Sequence, residues 1–297
     1  MRKVHICRPN HLLFRLNCAI IRPMSTIENR TLHVRIMLGL TLLCTVGLFF
    51  LPPIAQPLEY HQFADSRLFL GIPNFLDVFS NLLFLIAGLY GLKLLFDPRH
   101  GREKALFESR QEITAYTLFF AGSLLTCFGS VYYHLAPDNA SLVWDRLPMT
   151  LMFGSFLSIV ISERINQRAG FMLLPVLIVL GIFSVYYWYQ TELMGAGDLR
   201  LYLLVQFFPG ILILYMLFFL PSRYSRANRF GWVLVIYALS KVVEFFDRDI
   251  FDMQQWLSGH TIKHLLAALA VFVLAEMLRC RISINQVQNI KSELDQQ

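Results

Sequence analysis

The sequence predicts an all-α, polytopic membrane helical bundle, and three observations predict it. The chain has 297 residues, 56% of them hydrophobic, and a mean hydropathy of +0.52. Only 15% are charged, against about a quarter in an ordinary soluble domain, and 26 Phe would be hard to bury in a soluble core of this size. The apolar residues also fall into stretches of about 20, the length that crosses ~30 Å of hydrocarbon as a helix.

Eight such stretches follow one another along the chain. The span expected at 36–55 follows a basic arm, and 75–96 leads into the basic loop 97–112. The span at 113–134 ends on "SVYYH", and 142–161 carries "WDRLPM" at its start. Spans at 169–189, 201–220 and 229–247 follow. The last, 260–278, opens on "GHTIKH". Connections are short, so 36–279 reads as one membrane domain, with a disordered arm over 1–35 and a tail over 280–297. The opening "MRKVHICRPNHLLFRLNCAIIRP" is basic and lacks a small-residue cleavage site, whereas Met24 reads like a normal start before the first span.

Orientation follows from Lys and Arg, which collect in cytoplasmic loops. The arm, the loops near 97–112, 162–168 and 222–229, and the tail hold 19 of the 26 basic residues and alternate with the other loops. Both termini are therefore expected in the cytoplasm, with a bacterial-type plasma membrane as the setting. The net charge of +6 has the same origin. No basic patch interleaved with aromatics lies outside the apolar runs, so nucleic acid is not an expected partner. The five cysteines show no CxxC spacing, and neither a disulfide framework nor a thiolate metal site is indicated.

Polar side chains in hydrocarbon are costly and mark function by default. This topology brings Ser130 and His134, Asp145, and His260 and His264 to one depth near the non-cytoplasmic face, from three different spans. Residues four apart share a helix face, so His260 and His264 point to one spot. Three imidazoles suit a divalent metal, most simply Zn²⁺, with a fourth position open for water, whose pKa zinc lowers to about 7. Asp145 can then move the water proton to a leaving group. Ser130 can donate to a developing oxyanion or hold a ligand. The bland alternatives are a chance HxxxH, an interfacial His134, and an Asp145 that caps its helix and pairs with Arg146.

Other polar groups lie in the apolar runs. Asn74, Asp77 and Asn81 share a face, where Asp77 can support a metal-ligating histidine or the three can tie helices together. Lys241, Glu244 and Arg248 read as an ion-pair ladder. Lys263 either snorkels to the interface or contacts a substrate oxygen.

SxxxH, an Asp eleven residues later, and HxxxH on the last span resemble the alkaline ceramidase family. The match is best in "SVYYH", "WDRLPM" and "GHTIKH", with "NFLDVFSNLLF" similar to the family's first core helix. The family belongs to a wider group of seven-helix membrane hydrolases that includes progestin and adiponectin receptor-like and hemolysin III-like proteins. The resemblance covers roughly 60–279 and implies a seven-helix core, with 36–55 an extra N-terminal helix. It implies a zinc-dependent amidase releasing a fatty acid and a sphingoid base from ceramide or a related lipid amide drawn from the bilayer. His134, His260 and His264 would then bind zinc, Asp145 would be the general base, and Ser130 would bind the oxyanion or orient a ligand. Asp247 resembles an aspartate that precedes the family's last helix. Animal members also carry an acidic calcium site before the first core helix. Here that stretch reads "EYHQFADSRLFLGIPN", with Asn74 at the helix-start position and only Glu59 and Asp65 as acids. A receptor or hemolysin-like protein with a structural metal is the alternative on the same scaffold. A transporter is a weaker one, because the polar set clusters at one face rather than crossing the membrane.

Overall fold

The computed structural model describes residues 27–97, 107 and 109–284. The helices are α1 (Ile27–Leu48), α2 (Phe75–Ser80), α3 (Leu82–Phe96), α4 (Arg110–Leu135), α5 (Asn139–Arg164), α6 (Gln167–Leu193), α7 (Arg200–Phe219), α8 (Arg229–Phe245), α9 (Asp247–Gln254) and α10 (Gly259–Cys280). A 3₁₀ turn spans Leu58–His61. Among the described residues no strand forms, only two isolated bridges. The all-α prediction therefore holds.

Six spans of the described residues are long and apolar enough to cross a membrane: Arg30–Leu48, Phe75–Phe96, Gln111–Leu135, Gln167–Leu193, Arg200–Phe219 and Gly259–Cys280. The other two expected spans exist as helices of different character. The span expected at 142–161 is α5, which carries Asp145, Arg146, Glu163 and Arg164, all buried. That at 229–247 is α8, of 17 residues, followed after Phe246 by the short α9. The first span starts and stops earlier than expected, at Ile27 and Leu48. Nothing in 27–35 opposes a helix, whereas Pro52 and Pro53 end one. The arm expected as disordered lies outside the described residues up to residue 26.

The 75–96 span is broken at Asn81. The Ser80 hydroxyl and the Asn81 amide both donate to the Asp77 carbonyl, at 3.0 and 2.7 Å. Side chains that hydrogen-bond back to the preceding turn compete with the helical ladder, and α2 gives way to α3 there.

Helices α3, α4, α5, α7, α8 and α10 form a ring, with α6 packed on α5 and α7, and α1 resting on α7. The core is aromatic and aliphatic, built around Phe119, Phe120, Phe156, Phe230, Val271 and Leu274. The outer faces are also apolar: Leu42, Leu180 and Phe218 are exposed, as a hydrocarbon surround requires. Small residues let helices approach closely. A Cβ added at Gly88 would lie 2.7 Å from the Phe120 carbonyl oxygen, so α3 and α4 touch backbone to backbone there.

Candidate metal centre and active site

His134 ends α4, and His260 and His264 open α10. Their ring centroids stand 4.9, 4.9 and 5.0 Å apart. One ligand nitrogen from each ring lies within 4.8 Å of the others, and all three residues are buried. Four-residue spacing places His260 and His264 on one face. The fixed position of His134 comes from its backbone, whose carbonyl accepts from the Asn74 amide at 2.8 Å.

The donors fit a metal ion. Both ring nitrogens of His134 are buried without a hydrogen-bond partner, a costly state for a polar group that a cation would relieve. For His264, Ser80 spends its one proton on the Asp77 carbonyl and meets Nδ1 at 2.8 Å. With the hydroxyl proton on that carbonyl, Nδ1 carries the ring hydrogen and Nε2 is the lone-pair nitrogen. At His260, the Lys263 ammonium lies 2.9 Å from Nε2 and 3.0 Å from Glu244 Oε1. Ligation through that nitrogen would shift the ammonium wholly onto Glu244.

Asp145 and Ser130 face one another beside the imidazoles. Asp138, not Asp145, caps α5: its carboxylate accepts from the Ser141 N–H at 2.6 Å, and the Ser141 hydroxyl accepts from the Asp138 N–H at 3.1 Å. The Ser141 N–H holds the Asp138 carboxylate below its ordinary range. Free of capping, the Asp145 carboxylate lies close to the Ser130 side chain, and both line the same cavity. Gly129 makes that meeting feasible, because any Cβ there would sit 2.0 Å from the Trp144 carbonyl oxygen. Backbone contact between α4 and α5 sets Ser130 against Asp145.

Phe63 and His61 act here although the sequence did not single them out, and Asp77 and Asp247, which it did, take definite places. Phe63 packs its ring 4.5 Å from His134 and 4.7 Å from His260, covering the imidazoles from the segment before α2. His61 anchors that segment, with Nδ1 3.0 Å from the Tyr133 hydroxyl and Nε2 3.0 Å from Asn139 Oδ1. It is the Ser80 side chain, not the Asp77 carboxylate, that meets a histidine ring. Asp77 instead accepts from Thr261 at 2.6 Å, tying α2 to the first turn of α10. Asp247 accepts from the His260 N–H at 2.7 Å and from the Ala64 N–H at 3.0 Å. Gly259 permits this, since a Cβ there would meet the Val243 carbonyl oxygen at 2.1 Å.

The expected ladder is redrawn. Glu244 pairs with Lys241 and with Lys263, while Arg248, placed on α9 by the break at Phe246, makes no ion pair among the described residues. Lys263 therefore points inward and does not snorkel. In the acidic stretch before α2, Arg67 holds both Asp65 oxygens at 2.7 Å and donates to the Gln255 and Trp256 carbonyls. Glu59 is exposed.

Ser130, Asp145 and His264 line a cavity of about 700 Å³ inside the ring, within the size range of ligand sites. Its far walls are apolar, with Phe119, Met152, Phe156, Val233 and Val271 among them. Phe207, Ile211 and Leu214 of α7 line it and are also exposed, so α7 borders both the cavity and the outer surface.

The fold and the site together define a polytopic helical membrane protein that gathers three imidazoles, one of which, His264, lines a large cavity together with a carboxylate and a hydroxyl. The chain belongs to the Ceramidase family, whose model matches residues 71–294. No curated protein and no solved structure matches it. Family membership and the six apolar spans make it an integral, multi-pass membrane protein, and the family implies a hydrolase of amide bonds acting on a lipid.

Proposed function

We propose that the chain is a zinc-dependent amidase that cleaves the N-acyl bond of ceramide or a related lipid amide, releasing a fatty acid and a sphingoid-type amine. The observation that carries this reading is the convergence of three buried imidazoles, one of which, His264, lines a cavity whose far walls are apolar. His134, His260 and His264 would hold the ion. Bound zinc supplies an activated water and polarises a carbonyl.

The other residues do the rest. A lipid enters from the bilayer past α7, and the apolar walls hold its acyl chain. Asp145 accepts the proton of the attacking water and returns it to the leaving nitrogen. Ser130 fixes the Asp145 carboxylate and can donate to the oxyanion as charge develops there. Ser80 fixes the His264 tautomer and Asp247 fixes the first turn of α10, as supporting groups of metal ligands do. Phe63 keeps bulk water off the imidazoles. The Lys and Arg distribution places this end near the non-cytoplasmic leaflet and both termini in the cytoplasm.

The test is metal analysis of purified protein beside a fatty-acid-release assay on a panel of lipid amides. His264→Ala should lose both metal and turnover. Asp145→Ala should retain the metal and lose at least about a hundredfold in rate, the scale of general acid–base catalysis. Normal hydrolysis by Asp145→Ala would overturn its role, and wild-type protein without metal would overturn the metalloenzyme reading.

A further inference from the structure

We infer that the cavity contains a hydroxyl subsite built on Gln206 and Tyr237, and that the enzyme favours a lipid amide with a hydroxyl partway along its acyl chain. This rests on the amidase reading and narrows its acyl specificity. Gln206 of α7 and Tyr237 of α8 both line the cavity, and Gln206 Nε2 donates to the Tyr237 hydroxyl oxygen at 2.8 Å. The wall around them is apolar, with Leu203, Phe207, Val233 and Leu234 on it. The Tyr237 ring stands 5.7 Å from that of Phe153.

The pair is only half used. Among the described residues no group donates to Gln206 Oε1 and none accepts the Tyr237 hydroxyl proton. Gln206 is 7% exposed, yet its Oε1 keeps accessible surface, and the residue lines the cavity. Turning the amide over changes nothing, because the pair still leaves a donor and an acceptor over. Left unmet inside an apolar cavity, such groups are costly. A hydroxyl is their complement, since it gives one hydrogen and accepts another. The neighbouring hydroxyls are spent on their own helices: Thr126 donates to the Gly122 carbonyl at 2.9 Å and Ser240 to the Tyr237 carbonyl at 2.6 Å.

Depth decides which part of the lipid meets the pair. Tyr237 precedes Glu244 by seven residues on α8, about two turns or ~10 Å, and Glu244 reaches Lys263 beside His260. Phe153, against which Tyr237 packs, follows Asp145 by eight residues on α5. Both helices therefore place the pair about two turns deeper than the groups assigned to amide cleavage. Hydroxyls next to the amide stay near the imidazoles. The acyl chain, held by the apolar walls, runs past Gln206 and Tyr237.

The test uses ceramides on one sphinganine base: the N-stearoyl compound and a series of N-monohydroxystearoyl compounds whose hydroxyl moves from beside the carbonyl to the chain end. The readout is kcat/KM of each relative to the stearoyl compound. Wild type should peak at a mid-chain hydroxyl, about two- to tenfold above one, the scale of one neutral hydrogen bond. Tyr237→Phe should bring that ratio close to one. Adding Gln206→Met should push it below one, because the hydroxyl then meets only apolar wall. A pair that merely ties α7 to α8 would slow all substrates alike; a mid-chain ratio unchanged in both variants overturns the proposal. So does a flat wild-type profile, or one that peaks beside the carbonyl. N-stearoyl phytosphingosine carries its extra hydroxyl on the base, and a preference found only there would move the hydroxyl to the amine half and overturn the acyl assignment. Equilibrium binding of the stearoyl and mid-chain hydroxystearoyl ceramides to Asp145→Ala protein separates this from the amidase reading. Tighter binding of the hydroxylated lipid, with no turnover of either by wild type, would sink the amidase and keep the subsite. Equal binding would sink the subsite.

Discussion

Arg281 and Arg146 lie at opposite ends of the bundle, each caged by three aromatic rings, and the two cages are completed in different ways. Arg281 stacks on Phe107, Tyr116 and Tyr224, donates to the Tyr116 hydroxyl at 3.0 Å, and lies 3.5 Å from both Glu112 and Glu163. Glu112 also accepts from Tyr224 and Gln167, each at 2.7 Å. The space left among these groups is about 10 Å³, room for a single water at most. Arg146 has rings and an amide but no acid, and it opens onto about 700 Å³. A cation closed in by its own carboxylates ties segments together. One held only by rings and an amide at the wall of a cavity makes no such tie.

The sharpest way to break this contrast is to remove each arginine. Arg281→Ala leaves Glu112 and Glu163 buried without their cation and should cost about 3–5 kcal/mol, read as a large fall in unfolding temperature in detergent. Arg146→Ala gives up cation–π contacts and one amide bond and should cost about 1–2 kcal/mol. Equal losses would mean that both are structural ties. Gly129→Ala, which drives a methyl into the Trp144 carbonyl, should cost about 1–3 kcal/mol, between Arg281→Ala and Arg146→Ala. Because it wedges α4 from α5 where Ser130 meets Asp145, amide hydrolysis should fall while Arg281→Lys, at the far end, leaves the rate per folded molecule unchanged. The smallest effect on folding should come from Ser80→Ala. It loosens the His264 ring and should weaken metal affinity about 10–100-fold with little change in unfolding temperature. Metal content after dialysis against a graded chelator would report it.

The imidazoles, Asp145 and Ser130 were legible in the sequence because their spacing follows the helical period and the basic loops fix which helix ends lie together. Other parts of the site were not. Phe63 sits in a linker, where no periodicity predicts a contact. Ser80 and Asp77 lie on one short helix, and only the break at Asn81 decides which of them reaches His264. Lys263 can reach the interface or turn inward, and the choice depends on Glu244, whose position follows from α8. Gly129 and Gly259 did leave a signal: each immediately precedes a polar residue in an apolar run, where a glycine marks close helix contact. The missed helix α9 is short and polar, and nothing in its hydropathy sets it apart from a loop. The partner Arg146 lacks is invisible to pattern reading, because an adjacent Asp145 suggests a pair that the folded chain does not make.

Asp247 gives the site a mechanical property. One carboxylate grips both the His260 N–H and the Ala64 N–H, so the strip carrying Phe63 and the leading turn of α10 are latched to a single point. Lifting the strip far enough to break its bond releases one of the two grips on that point. Exposure of the imidazoles to solvent and loosening of the turn that presents them are therefore coupled events, and a shut strip goes with an ordered centre.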